Sequence, residues 1–306
     1  MTATLSIKSP NASDTIFKVL SFSFTKDAYT PFTRLTAVFE AHTAVPETAQ
    51  LAWFYVNGNF IHQGFIDTFR ITEEGGFRRG IITSRGFTAQ YLQNQLEPGL
   101  YTNMSLNDLM DEYMQLPYVT HEDCGTSSYI FVKNGSTQWD GIVNIAFKVY
   151  GKHPYIRGTN CVMVNRDSSA NTFAYDEASL LSRGSERDTR GLVYFWSMEN
   201  MQEEYGDYTL TDSDAYDSYI RRCRYFELDR RFLYEPQRAP EFRDKMAARG
   251  WKRSFFSYSG YRGEDLFDSA QAGGVTRDIT SVRITGGKNG IITEIGMYSD
   301  KFVNPQ

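Results

Sequence analysis

Residues 51–86 set two tight-turn signals inside one alternating run, and this run limits the fold more than any other stretch. "LAWFYVNGNFIHQGFI" carries Asn57-Gly58 between two apolar arms, a strong hairpin signal because both residues accept positive φ. "ITEEGGFRRGII" then turns near Glu74-Gly75-Gly76 and alternates again. Upstream, Ile16 to Phe24 is aromatic and β-branched. Thr33 to Ala41 puts Leu35, Ala37 and Phe39 on one face and Arg34, Thr36 and Glu40 on the other. Five or six antiparallel strands in succession predict a barrel or sandwich rather than a parallel sheet.

The alternation ends at "SRGFTAQYL" and helices take over, after a short turn around Thr88 to Gln93. "SLNDLMDEYMQL" predicts a helix capped by Ser105, with Asp108 at the capping-box position and a stripe of Leu106, Leu109, Met110 and Tyr113. "STQWDGIVNIAFKVYG" predicts a second helix, capped by Ser136 and ended by Gly151, with Trp139, Ile142, Ile145, Ala146 and Val149 facing inward. "SYIFV", "HPYIRG" and "NCVMVNRD" read as strands around it. Long strands return in "RGLVYFWSME" and "SYIRRCRYFEL", "APEFRDKMAARG" is helix-prone to Gly250, and a last hairpin turns over 286–290. The chain thus reads as a β-rich α+β protein. Its expected blocks are a strand-rich 1–90, an α+β middle section 91–185 and a strand-rich 186–306, with the chain crossing between blocks.

The net charge of −5, from 32 basic against 37 acidic residues, argues against a general nucleic-acid binder. Arg221, Arg222, Arg224, Arg230 and Arg231 form a local basic cluster, expected at subunit or neighbour contacts and otherwise a solvated face. The 22 Phe and 20 Tyr suit half-buried sheet faces and interfaces. No apolar run approaches the length of a membrane-spanning helix, so no membrane insertion is expected. The N-terminus lacks the pattern of a secretory signal. Cys124, Cys161 and Cys223 are odd in number and widely spaced, which predicts free thiols and folding in the cytoplasm.

Motifs that carry chemistry are missing: no GxSxG, HExxH, Walker A or GxGxxG. Ser23 and Lys26 match a serine–lysine spacing, yet on a strand they point to opposite faces. Glu73 and Glu74 fail as a glycosidase pair for the same reason. His42, His62, His121 and His153 are isolated and read as structural hydrogen-bonders; "DSDAYD" reads as an acidic surface turn. No catalytic, cofactor or metal residue is expected.

The order of elements resembles the family of phage tail baseplate hub proteins. In that family a "G-x-I-D" strand and a strand-to-helix junction close the first tube-like barrel, and here Gly64-Phe65-Ile66-Asp67 and Ser84-Arg85-Gly86 through Leu92 stand in those places. Ser105 to Leu109 and then Gly135 to Ala146, with Trp139-Asp140, match the segments that follow. The resemblance covers about 57–167. It implies two tube-like antiparallel β-barrel domains per chain, related by a rotation near sixty degrees, with a small α+β insertion. Three copies would then form a trimeric, pseudo-sixfold ring that adapts a hexameric tail tube to a trimeric spike. Implied partners are the chain itself (homotrimer), the tail tube protein above, the spike protein below, and baseplate wedge or sheath-proximal proteins. A genome or tape-measure protein would pass through the lumen without specific binding. The implied place is the tail baseplate of a virion or a phage-like particle such as a bacteriocin, assembled in the bacterial cytoplasm. Nothing resembles a fused lysozyme or needle, so the spike is expected as a separate chain. Two other readings stand beside it: another tube or baseplate component on the same barrel, and a tail-associated cell-wall hydrolase.

Overall fold

A computed structural model describes residues 2–9, 12–41, 49–167 and 169–303. The first six strands are β1 (Ala3–Ser9), β2 (Ala12–Asp27), β3 (Arg34–Glu40), β4 (Leu51–Val56), β5 (Asn59–Glu74) and β6 (Phe77–Gly86). They pair antiparallel in the order β1-β4-β5-β6-β3-β2, and a further β1–β2 pairing closes them into a six-stranded barrel. Leu35, Ala37 and Phe39 face inward, as their alternation predicts, and meet Ala52, Phe54 and Val56 of β4 in one core. Both predicted hairpins form: Asn57 and Gly58 have φ of 50° and 83°, and Gly75 and Gly76 have 58° and 76°. Side chains fill the barrel, so it has no bore of its own.

The middle section follows as β7 (Gly99–Ser105), α1 (Leu106–Tyr113), β8 (Thr120–His121), β9 (Thr126–Val132), α2 (Gln138–Tyr150), β10 (Tyr155–Arg157) and β11 (Cys161–Met163). Ser105 and Asp108 cap α1 reciprocally, as expected. Tyr113 leaves the expected stripe and lies exposed, edge-to-face with Tyr101. The cap of α2 is Thr137 rather than Ser136. A reciprocal cap needs an acceptor three residues on; Thr137 has Asp140 there, whereas Ser136 has Trp139. Gly151 ends the helix at φ 66°.

Next come β12 (Thr172–Tyr175), β13 (Leu180–Arg187), β14 (Phe195–Glu199), β15 (Tyr205–Thr211), α3 (Ser213–Asp217), β16 (Cys223–Phe226) and α4 (Arg238–Ala247), then β17 (Lys252–Ser259), β18 (Ser269–Ala272), β19 (Val275–Asp278), β20 (Ser281–Gly287) and β21 (Gly290–Tyr298). The "SYIRRCRYFEL" strand shrinks to four residues, because Ser218 to Tyr219 complete the turn after α3. "DSDAYD" is a helical turn capped by Asp212, whose buried carboxylate pairs with Lys301, not an open acidic loop.

Of the last block, β14, β15 and β16 form a three-stranded sheet of their own in the order β15-β14-β16, but the long strands do not stand apart from the barrel. β20, β21, β17 and β13 continue from β2 to make a ten-stranded sheet. The sixteen residues of β2 make this possible: on one edge β1 pairs with its first half and β20 with Phe22 to Asp27. One core runs through both parts, from Leu5 and Phe54 to Phe256, Tyr258 and Ile295. The segment between β13 and β17 packs elsewhere. Met198, Phe232, Ala239 and Phe242 join Phe147 of α2 in the second core, with Phe147 and Phe242 ring centroids 4.9 Å apart.

Candidate functional site and assembly surfaces

The barrel-to-middle junction contains the residues that the resemblance singled out. Gly64 lies so close to β6 that a Cβ would stand 2.0 Å from the Arg85 carbonyl oxygen, and one on Gly86 would stand 2.9 Å from Asn160 Oδ1. Asp67 is the extra residue of a bulge between Ile66 and Thr68. The bulge aims its carboxylate at Arg85, which grips it with two bonds of 2.7 Å. Asp140 caps α2, and Trp139 packs in the middle core, 5% exposed. Gly64, Asp67, Arg85 and Gly86 thus hold the junction together, Trp139 fills the middle core, and Asp140 caps α2 on the wall of a groove.

Beside them is a network that the sequence did not reveal. Ser84 donates to the Phe65 carbonyl, so His62 Nε2 must donate to Ser84 Oγ, and Thr33 then donates to His62 Nδ1, both at 2.8 Å. All these groups are buried. The neutral imidazole is fully bonded here, and burial pushes its pKa down to about 3. His153 repeats the theme: it bonds the Pro154 carbonyl at 2.7 Å and accepts from Arg249, and burial also pushes it down to about 3. His121 bonds Asp111 and a backbone carbonyl; His42 lies outside the described residues.

Lys26 is buried and bonded to Asp265 and to the Gly158 carbonyl, while Ser23 lies on the opposite face of β2. Burial lowers the Lys26 pKa, with Asp265 opposing that shift. Among the described residues no group of three or more His, Cys, Asp or Glu could hold a metal. Cys124, Cys161 and Cys223 are free, and burial pushes the Cys124 thiol up to about 12.

The arginine cluster does not converge. Arg222 donates to the carbonyls of Arg190 and Leu192, and Arg231 grips Asp229 with bonds of 2.9 and 2.6 Å. Arg221 stacks on Tyr216. Only Arg224 and Arg230 are exposed without such ties, and Arg230 sits over Phe131. Sequence adjacency overstated the patch because the turns on either side of β16 send successive guanidiniums to different neighbours.

Among the described residues the sheet leaves two open edges. β13 is the last strand of ten, has β17 as its one neighbour among the described residues, and is exposed along nearly all of its eight residues. β4 pairs with β5 only as far as Phe65, so residues 67–74 of β5 have, among the described residues, β6 alone beside them. Edges of this length attract another strand unless something covers them.

Gly64→Ala is expected to cost ~1–3 kcal/mol or more, since the obstacle is backbone that cannot yield. Gly99→Ala, with nothing within 4 Å, should stay within ~0.5 kcal/mol of wild type. Urea unfolding of both variants checks this; equal midpoints would contradict the close approach.

Comparison of the sequence with protein families and with curated proteins returns no match. Solved structures do match, over nearly the whole chain. A tail protein from Neisseria meningitidis superposes with a TM-score of 0.73 at 14% identity, covering 100% of this chain and 99% of that one. The 43 kDa tail protein of prophage MuSo2 from Shewanella oneidensis gives 0.71 at 10%, covering 98% and 99%. The E. coli c3393 protein, a type VI secretion component described as structurally similar to T4 tail proteins gp27 and gp5, gives 0.57 at 9%, covering 98% and 78%. The chain has the β-rich α+β fold of phage tail proteins, shared with the type VI spike apparatus.

Proposed function

We propose that this chain is a structural hub of a contractile tail baseplate or a related injection particle. Three copies form a ring that joins a hexameric tube to a trimeric spike, with baseplate wedge or sheath-proximal proteins outside. The observation that supports this best is the pair of open edges, β13 and residues 67–74 of β5, in a fold shared end to end with tail proteins. Different edges on one chain make a head-to-tail contact, and such contacts close into rings when the rotation allows. Closure would cover both edges and place the channel between copies, since the barrel itself is filled.

In this reading the two wall units of each copy are the closed barrel of β1 to β6 and the group β20, β21, β17 and β13 with β12, β18 and β19 against it. They relate by a rotation near sixty degrees, residues 91–171 cover them, and the second unit takes β12 and most of β13 from the expected middle section 91–185 together with β17 to β21 of 186–306. Superposing the two groups tests this; failure to align a shared four-stranded core contradicts it. Arg224 and Arg230 remain as interface arginines, whereas Arg221, Arg222 and Arg231 serve the fold first. The net charge of −5 suits a lumen that a genome or tape-measure protein must pass without sticking. Assembly in the bacterial cytoplasm and the absence of catalysis belong to the same reading.

Light scattering on the purified chain should give three times the chain mass. Leu181→Lys, which places a charge on the exposed β13 edge, should weaken the trimer about tenfold or more at unchanged monomer stability. A monomer at every concentration, or a trimer indifferent to Leu181→Lys, would count against the edge contact.

A further inference from the structure

A groove of about 820 Å³ opens between the middle section and β16, with α2 as its floor. Phe131 to Lys133 at the end of β9 make one wall; Tyr225 to Arg231 and Arg243 make the other. It is far from the open edges in sequence, and of its lining the preceding functional reading uses Arg230 alone.

Three features describe what fits there. Asn144, 3% exposed, lines the floor, and its buried Oδ1 has no hydrogen-bond partner. Arg243 lies 4.0 Å from the Phe226 ring and 3.5 Å from Asp229, with its Nε unpartnered, and Arg230 has no carboxylate in ion-pair reach among the described residues. Tyr225, 61% exposed, and Tyr205, 50% exposed, meet edge-to-face at the mouth. Finally, β16 is the edge of its three-stranded sheet, with β14 as its one neighbour among the described residues.

We propose that this groove takes an extended, carboxylate-bearing segment of a partner polypeptide. Its backbone lies along the β16 edge and gives an N–H to Asn144, its carboxylates meet Arg230 and Arg243, and an aromatic or aliphatic side chain stacks between Tyr225 and Phe131. An extended peptide offers donors, acceptors and alternate side chains at the spacing of a strand edge. A nucleic acid suits the site less, because a polyphosphate brings a negative charge at every unit, whereas a peptide can set its few carboxylates at Arg230 and Arg243 and neutral residues beside Asp140, Glu227 and Asp229.

Panning a random display library of about twelve-residue peptides on the intact chain tests this directly. The expected result is enrichment of peptides combining two or more Asp or Glu with an aromatic residue. Their synthetic forms should bind about tenfold more weakly to Arg230→Glu and to Asn144→Leu, and more weakly as salt rises. Arg230 is exposed, so its variant should fold. No such enrichment, or binding indifferent to both variants, overturns the proposal. A single-stranded DNA 20-mer bound in an Arg230-dependent way without any peptide binder overturns it in favour of nucleic acid. A change in the wild-type oligomer on Arg230→Glu alone, with no peptide binder, makes the groove a contact between copies instead. The peptide and DNA outcomes do not depend on whether the chain is a trimer.

Discussion

Acidification from pH 6.5 to pH 4.5 is expected to remove roughly 4–5 kcal/mol of folding stability through two histidines alone. His62 and His153 are buried and held neutral, each pushed down to about 3, whereas in the unfolded chain each binds a proton near pH 6.5. Between those values the unfolded state carries more protons, so stability rises with pH and falls as pH drops. Arg249 donating to His153, and the Thr33–His62–Ser84 relay, leave neither ring room for a second proton. The carboxyls of Asp27, Asp244 and Asp278, raised mainly by burial, act in the opposite sense over their own windows and reduce the net slope. Urea unfolding at a series of pH values measures the effect. His62→Gln should remove about half of the histidine-derived slope, whatever it costs at neutral pH. A flat profile from pH 6.5 to 4.5, or a slope unchanged in His62→Gln, contradicts the buried neutral network.

Trp139→Ala is expected to cost ~3–5 kcal/mol by opening a cavity in the middle core. The indole is 5% exposed, packed with Ile142, Ile145 and Phe147 of its own helix and with Phe242 and Phe302 in the same cluster, and 6.4 Å from the His153 ring. Because residues 195–247 complete this core, the loss should reach the β14–β16 sheet as well as α2. A lowered unfolding midpoint, with hydrogen exchange rising in both segments, is the expected result. An unchanged midpoint would mean that Trp139 does not pack there.

Where order is local, the sequence disclosed the fold. Strict alternation placed Leu35, Ala37 and Phe39 inside, and Asn-Gly and Gly-Gly placed both hairpins, because strand period and turn chemistry act over a few residues. The helix caps were equally legible, and the one-residue error at Ser136 was avoidable: Asp140 is in reach of Thr137 alone. What failed was long-range. Nothing local in Ile16 to Asp27 says that β2 will hold β1 and β20 in series, so the joining of the two strand blocks could not be read. Nothing local in Asn144 or Arg243 marks them as neighbours across a groove. The arginine run looked like one surface because sequence distance stood in for spatial distance, and two of its members turned inward to backbone carbonyls and Asp229. His62 read correctly as a structural hydrogen-bonder, but its partners come from β6 and from the turn before β3.

Electron microscopy of single particles of the purified chain tests the central claim most directly. The account predicts rings of three copies with two wall units each, six around the bore. β13 of one copy should pair or pack against the open part of β5 in the next, residues 67–74, with Arg222 and Arg231 turned into their own subunit. Monomers, rings of another number, or a trimer in which β13 and that part of β5 both face solvent would contradict it.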